Sequence, residues 1–185
     1  MSETIVHDHL PIYRVIRRAW PDPLDISYSQ RSNVRNRWNT PEFPALYCCC
    51  SETVARAVVK DIFRLTRVVL EDLQDTAQPQ LAEILWEGEV IDMITAAGLA
   101  SAGFPSDYPT GSNHSQTQRA ATEWHKAGAA GVLCRSASMR RLGFSVWSGN
   151  HQLWSELAIY TQNTSTRPSL LNRRDDLAWL QSPKD

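Results

Sequence analysis

Neither sign of charge is in excess. Nineteen Lys and Arg stand against twenty Asp and Glu, a formal net charge of -1. Bulk charge therefore points to neither nucleic acid nor an anionic membrane as a direct partner. Long hydrophobic runs are missing too; none approaches the roughly 20 residues of a membrane span. Residues 1–12 (MSETIVHDHLPI) lack the basic start and apolar stretch of a secretory signal, so a cytoplasmic protein is expected. Cysteine is scarce, with only Cys48, Cys49, Cys50 and Cys134. Three are consecutive, and neighbours on a strand point to opposite faces, so reduced, buried thiols are expected in place of a disulfide framework. There is no HExxH, CxxC pair, P-loop, GxGxxG or GxSxG. His7-Asp8-His9 has no third ligand nearby, and His114 and His125 stand apart, so no metal site is expected.

The chain is long enough, at 185 residues, for one domain that needs neither metal nor disulfide to fold. Seven tryptophans are many for this length. Most belong in the core or under another subunit, a second copy of the chain or a different protein. LPIYRVIR (10–17) alternates around β-branched and aromatic positions and predicts a first strand. Residues 19–43, rich in Pro, Asp, Ser, Asn and Arg, predict a long irregular segment, which inside a compact domain is more often functional than linker. PALYCCC (44–50) predicts a buried strand.

Ser51 is placed as a helix N-cap. Val54, Ala55, Val58, Ile62, Leu65, Val69 and Leu73 recur at helical spacing and predict a helix from about 52 to about 73. Strands follow at 81–87 and from 90, then a short helix ending near Gly103 and a loop over 104–116. A helix over 117–127 is closed by Gly128. Further strands are predicted at 131–134, 144–147 and 154–160, with SASMRR (136–141) as a loop. The core spans about 10–160, followed by a polar tail, about 161–185, in which only DDLAWL docks. Strands and helices mixed in one unit predict a single α+β domain.

The densest chemistry lies in RSNVRNRWN (31–39), where Arg31, Arg35 and Arg37 sit in the irregular segment. Guanidinium groups match phosphate oxygens bidentately, so this is a candidate pyrophosphate site; the plainer alternative is solvated surface charge. Arg14, mid-strand between apolar neighbours, must either pair with an acid such as Asp22 or Asp25 or face a ligand anion. Tyr47 is either a core tyrosine or a ring that stacks on a ligand. Ser136, directly after a strand, either bonds a ligand or caps the loop.

Taken in order, these blocks resemble the RES domain, a family named for Arg, Glu and Ser. YRVIRRAWPDPLD is similar to its first strand with a tyrosine–arginine pair. VRNRWNTPEFPALYCCC resembles its most recognisable motif, Arg-Trp-Asn followed by a Pro-x-hydrophobic-Tyr strand. SETVARAVV, VIDMITAAGLASAGFPSDYP and AGAAGVLCRSAS follow in family order, over roughly residues 12–160. The resemblance implies a mixed or antiparallel central sheet similar to that of ADP-ribosyltransferases. It implies NAD⁺ as substrate, not cofactor, degraded by hydrolysis or phosphorolysis of its nicotinamide–ribose bond. It further implies a toxin held inactive by an antitoxin with a helix-turn-helix region. By position, Arg14 and Arg37 match the family's NAD⁺-binding arginines, with Arg31 beside them. Tyr47 matches the active-site tyrosine and Ser136 the family serine.

Two positions depart from the family. Arg35-Asn36 replaces the glycine pair usual before Arg-Trp-Asn. The family glutamate falls near Ala57-Val58, neither of them acidic, although this "VARA" form is shared by some RES sequences. Asp61, one helical turn beyond Ala57, is the first choice as replacement, and Glu52 at the helix start the second. The leading reading is an NAD⁺ glycohydrolase or phosphorylase. A nucleotide-binding protein without turnover, or a transferase of ADP-ribose to a protein, are the alternatives.

Overall fold

The computed structural model describes residues 2–8, 10–30, 36–110, 113–144 and 151–181. In chain order these form β1 (Thr4–His7), β2 (Ile12–Arg17), β3 (Leu46–Cys49), α1 (Glu52–Thr66), β4 (Pro79–Leu85), β5 (Gly88–Met93), α2 (Ala96–Ser101), α3 (His114–Lys126), β6 (Gly131–Arg135), α4 (Ala137–Arg141), β7 (Ser155–Ile159), β8 (Ser169–Arg174) and α5 (Ala178–Gln181). The strands make one sheet in the order β1-β5-β6-β7-β3-β2-β4-β8. Only β5–β6 is parallel among the named pairs; the others are antiparallel. This is the expected single α+β domain with a mixed sheet.

One joint in the sheet is narrow. β2 and β3 share a single pair, Tyr13 with Cys49, whereas β2 pairs with β4 along six residues and β3 with β7 along four. The sheet is thus two half-sheets hinged at one residue. One face buries Ile12, Leu46, Cys48, Ile84, Leu133, Leu157 and Ile159 under Trp86 and the segment holding Leu24 and Ile26. The other face carries two separate clusters. Trp38, Phe104, Tyr108 and Ala121 lie over β5 and β6. Val54, Ala57, Met139 and Trp179 lie over β2, β3 and β4. All four cysteines are buried and free.

Helix α1 begins where capping chemistry requires. Ser51 is extended and its hydroxyl accepts the Val54 N–H, satisfying one of the donors every helix leaves orphaned at its start. It ends seven residues earlier than the apolar spacing predicts. Arg67 turns left-handed (φ 56°) and its N–H caps Phe63; two 3₁₀ turns, Leu70–Asp72 and Asp75–Ala77, then lead back to β4. The predicted stripe is also rotated. Ile62 and Leu65 are exposed, while Ala57, Val59 and Asp61 face inward. A carboxylate on a buried face needs partners, and Asp61 has two. Arg64 Nη2 donates to Oδ1 at 2.9 Å, and Arg141 donates to Oδ2 through Nε at 2.7 Å and Nη2 at 2.5 Å. The pair fastens α1 to α4.

Four elements differ from expectation. β1 precedes the predicted first strand and pairs at the sheet edge with β5. SASMRR, predicted as a loop, forms α4: Ser136 caps it by accepting the Met139 N–H at 3.2 Å. Five residues are too few to show helical periodicity. The predicted loop over 104–116 ends at Asn113, whose side chain caps α3. The polar tail contributes β8, paired with β4 across a bulge at Glu83/Ile84. Arg174 Nη2 donates to Glu52 at 2.6 Å, tying this edge to α1. DDLAWL docks as expected, with Trp179 buried in α5. The strand predicted at 144–147 lies outside the described residues save for Phe144, which is exposed and in no strand. No helix among the described residues is long and apolar enough to cross a membrane.

Two substitutions test this frame. Arg67 is exposed, so Arg67→Gly relieves about 1–2 kcal/mol of left-handed strain against about 0.5–1 kcal/mol of added chain entropy. The urea midpoint should rise slightly. Asp61→Asn should cost about 1.5 kcal/mol at neutral pH, the low end of the range of about 1.5–3 kcal/mol for a charged hydrogen bond, because both arginines are near half exposure and can regain water. Burial alone would raise the Asp61 pKa, but the bonds from Arg141 and Arg64 outweigh it and hold it below its ordinary value. Its contribution is therefore present above the unfolded-state carboxylate pKa and lost as pH falls through the depressed folded value. Melting curves of the two proteins should converge in acid; a constant gap would contradict the ion-pair account.

Candidate functional site

The segment Arg37-Trp38-Asn39 is fixed to β3 by one tyrosine. Strand alternation turns Tyr47 away from the Leu46/Cys48 face and leaves its ring half-buried. Its hydroxyl accepts the Trp38 backbone N–H at 2.8 Å and donates to Asn39 Oδ1 at 2.9 Å. Asn39 Nδ2 in turn donates to the carbonyl of Ser29 at 2.7 Å. Trp38 is 1% exposed. Its indole N–H reaches Cys134 Sγ at 3.1 Å, its carbonyl accepts the Tyr160 hydroxyl at 3.0 Å, and its ring packs against Phe104, Tyr108 and Trp124. Burying an indole removes on the order of 200 Å² from water, worth about 5 kcal/mol before entropy. Trp38 and Asn39 thus hold the loop, and Arg37 is presented by it.

Arg37 makes no ion pair among the described residues; its neighbour is Tyr108, whose hydroxyl and ring both interact with the guanidinium. The Arg37 Cζ lies 5.9 Å from the ring centre of Tyr108, whose hydroxyl is buried beside Arg37 and Cys134. Burial opposes the Arg37 charge, but Tyr108, Cys134 and Glu156, each an anion once deprotonated, outweigh it and raise its pKa. It stays a half-buried cation, open to an anion.

β6 and β7 supply the remaining members. Glu156 stands opposite both Cys49 and Cys134 in the sheet register, so it shares the face of Tyr47, two pairs further along the strand. Ser136 is fully buried. Its hydroxyl caps α4 and also donates to Glu156 Oε1 at 2.6 Å. Glu156 Oε2 takes no hydrogen bond among the described residues, and the side chain keeps partial exposure. Burial, with help from Asp61, raises the Glu156 pKa above its ordinary value against the opposing pull of Ser136, Arg37 and Arg141. Burial also pushes the Cys134 thiol up to about 12, so it is held protonated and is no nucleophile. The group lies at the seam between the two clusters that cover this face of the sheet.

The structure therefore brings together Arg37, Tyr47 and Ser136, and separates Arg14 from them. Tyr13 pairs with Cys49 and shares its face, so the next residue, Arg14, points to the opposite one. There it is 8% exposed, donates to the Pro23 carbonyl at 2.5 Å and lies 5.9 Å from the centre of the Trp20 ring. Burial lowers its pKa, with Cys48, Asp25 and Asp22 opposing. It holds the 20–26 segment over that face. Arg31 lies outside the described residues. Asp61 has both oxygens taken by arginines, and Glu52 is shared between Arg56 and Arg174.

Sequence reasoning missed Glu156 and Tyr108. The signal for the first was a single acid inside the apolar strand WSELAIY; no local signal marked the second. Two cavities, of about 680 Å³ against β1, β5 and the end of α3, and about 660 Å³ between α1 and β2, lie away from this cluster.

Three comparisons bear on this arrangement. A search of the curated proteins finds no match. Among solved structures, the chain is similar to one in the crystal structure of the M. tuberculosis MbcT–MbcA toxin–antitoxin complex. The TM-score is 0.68 at 21% identity, covering 89% of this chain and 82% of that one; at such identity the likeness establishes the fold. The family model for the RES domain matches residues 11–162, from the start of β2 to just beyond β7, and so includes every member of the cluster. The chain belongs to the RES domain family.

Proposed function

We propose that the chain is a toxin that depletes NAD⁺ in the cytoplasm by cleaving its nicotinamide–ribose bond, as a glycohydrolase or phosphorylase. The observation that carries this reading is Arg37: a half-buried guanidinium with no acidic partner among the described residues, lying over the Tyr108 ring and beside the half-open ring of Tyr47. A permanently charged fork without an acid to bind is suited to the diphosphate of a dinucleotide. The resemblance to the RES family supports a dinucleotide, NAD⁺, as the substrate class.

In this mechanism Arg37 anchors the diphosphate, and the Tyr47 ring forms a wall for the nicotinamide ribose. The Tyr47 proton is committed to Asn39, and burial raises its pKa far above the ordinary tyrosine value. The hydroxyl therefore orients the loop, and the ring face is what the substrate meets. Holding the substrate by its remote diphosphate places the scissile bond against β6 and β7, where fixed charges act without reorganising. Nicotinamide leaves with the bonding electron pair, becoming neutral, and the ribose carries the positive charge until water or phosphate adds.

The partner in this reading is an antitoxin with a helix-turn-helix region. The support is the toxin–antitoxin complex in which the similar fold is found. Co-expression with such a protein should suppress toxicity.

The purified chain, incubated with NAD⁺ with and without phosphate, should release nicotinamide together with ADP-ribose or its phosphorylated form. Arg37→Ala should weaken NAD⁺ binding by roughly tenfold or more, the loss of about 1.5–3 kcal/mol for a charged hydrogen bond. Undiminished binding in this variant would remove Arg37 from the site. NAD⁺ bound but intact would favour a non-catalytic protein, and label appearing on an added protein would favour ADP-ribosyl transfer.

A further inference from the structure

The geometry points to Glu156 as the catalytic carboxylate, the group that faces the ribose as nicotinamide departs. This assignment rests on the NAD⁺-cleaving reading above and names the acid that reading requires. Loss of nicotinamide leaves a cation on the ribose, and an anion held a few ångströms away in a water-poor cleft opposes that charge strongly. α1 offers no free carboxylate for the task. Asp61 is bound on both oxygens by Arg64 and Arg141, and Glu52 on both by Arg56 and Arg174. Glu156 differs in the three respects that matter. One oxygen is fixed by Ser136 at 2.6 Å. The other takes no hydrogen bond among the described residues. The side chain lies on the Tyr47 face of the sheet, within the field of Arg37, without forming an ion pair with it among those residues.

The step balances with water as co-reactant. The ribose C1′–nitrogen bond breaks and its electron pair leaves with nicotinamide. Water adds to C1′, and its proton passes to the free oxygen of Glu156 and then to solvent. The products are ADP-ribose, nicotinamide and one proton. Glu156 must be ionised when nicotinamide departs, so activity should fall as pH drops through its raised pKa.

The surrounding groups leave that acid limb to Glu156. Arg37 on the loop before β3 remains a cation, its pKa raised, and Arg141 on α4 is bound to Asp61. Asp61 on α1 remains an anion, its pKa depressed. The thiols of Cys49, Cys50 and Cys134 and the hydroxyls of Tyr47 and Tyr108 have pKa values raised by burial and stay neutral throughout. Ser136 stabilises the ionised carboxylate, so removing its hydroxyl should raise the Glu156 pKa and move the limb to higher pH.

The experiment uses the full chain. Glu156→Gln keeps the shape and an acceptor for Ser136. It should lower kcat for NAD⁺ cleavage by on the order of 10²–10³, with an unchanged melting temperature and unchanged affinity for ADP-ribose, which carries the diphosphate and has no nicotinamide bond to break. Ser136→Ala should shift the acid limb of kcat upward. If the unmodified protein cleaves NAD⁺ and Glu156→Gln does so equally well, the assignment is wrong and the activity stands. Should Glu156→Gln fail to fold, Ser136→Ala decides: an unmoved limb overturns the assignment. No cleavage by the unmodified protein overturns the reading itself, and the assignment with it.

Discussion

The Tyr47 hydroxyl is the joint on which the site depends. As an acceptor it takes the Trp38 N–H, and as a donor it satisfies Asn39. Neither bond is worth more than about 1 kcal/mol net, but leaving either buried partner unsatisfied costs about 1–3 kcal/mol. Their effect is positional. An irregular segment between β2 and β3 has no ladder to fix it; it is fixed by side chains instead, among them the Tyr47 and Tyr160 hydroxyls, the Trp38 indole and the Asn39 amide. Arg37 is carried by them. Arg, Trp and Asn thus divide the work of three consecutive residues: the first presents its guanidinium, and the next two lock the backbone beneath it.

The narrow join between β2 and β3 has the same consequence at larger scale. Because the half-sheets share one pair, the segment between them passes over the sheet without adding a strand to it. Arg14 and the Pro23 carbonyl hold that segment on one face. Tyr47 and Asn39 hold its continuation on the other.

What was legible in the chain was local. Ser51 as a cap, α1 and its start, the buried LYCC strand and the Arg-Trp-Asn–Tyr pairing can be read within windows of ten or fifteen residues. What was not legible required distant partners. β8 is largely exposed, with one leucine on each face, and pairs with the edge that β4 offers it, so it shows no alternation. α4 is a single capped turn. The length of α1 was overread because Val69 and Leu73 continue its spacing, whereas Arg67 had already ended it. Their match to the family's motifs assigns Arg14 and Tyr47 to one site; the Tyr13–Cys49 pair, fixed only by tertiary structure, puts them on opposite faces. Asp61 looked like an available acid because helical spacing says where a side chain points and nothing of what waits there.

Asp61 and Glu156 show how one neighbourhood gives two carboxylates different work. Each lies within the other's field and both are poorly exposed. Asp61 meets two guanidinium groups, so its charge is neutralised and its pKa depressed. Glu156 receives one neutral hydroxyl and feels its cations only at a distance, so its charge is under-compensated and its pKa raised. Environments that push two acids apart in this way commonly divide structural from chemical roles. Arg141 enforces the division: by binding Asp61 it secures α4 against α1, and so secures Ser136 at the head of α4, which in turn aims Glu156. The fully paired acid thereby positions the incompletely paired one, and the uncompensated charge is left where a substrate cation would supply the missing partner.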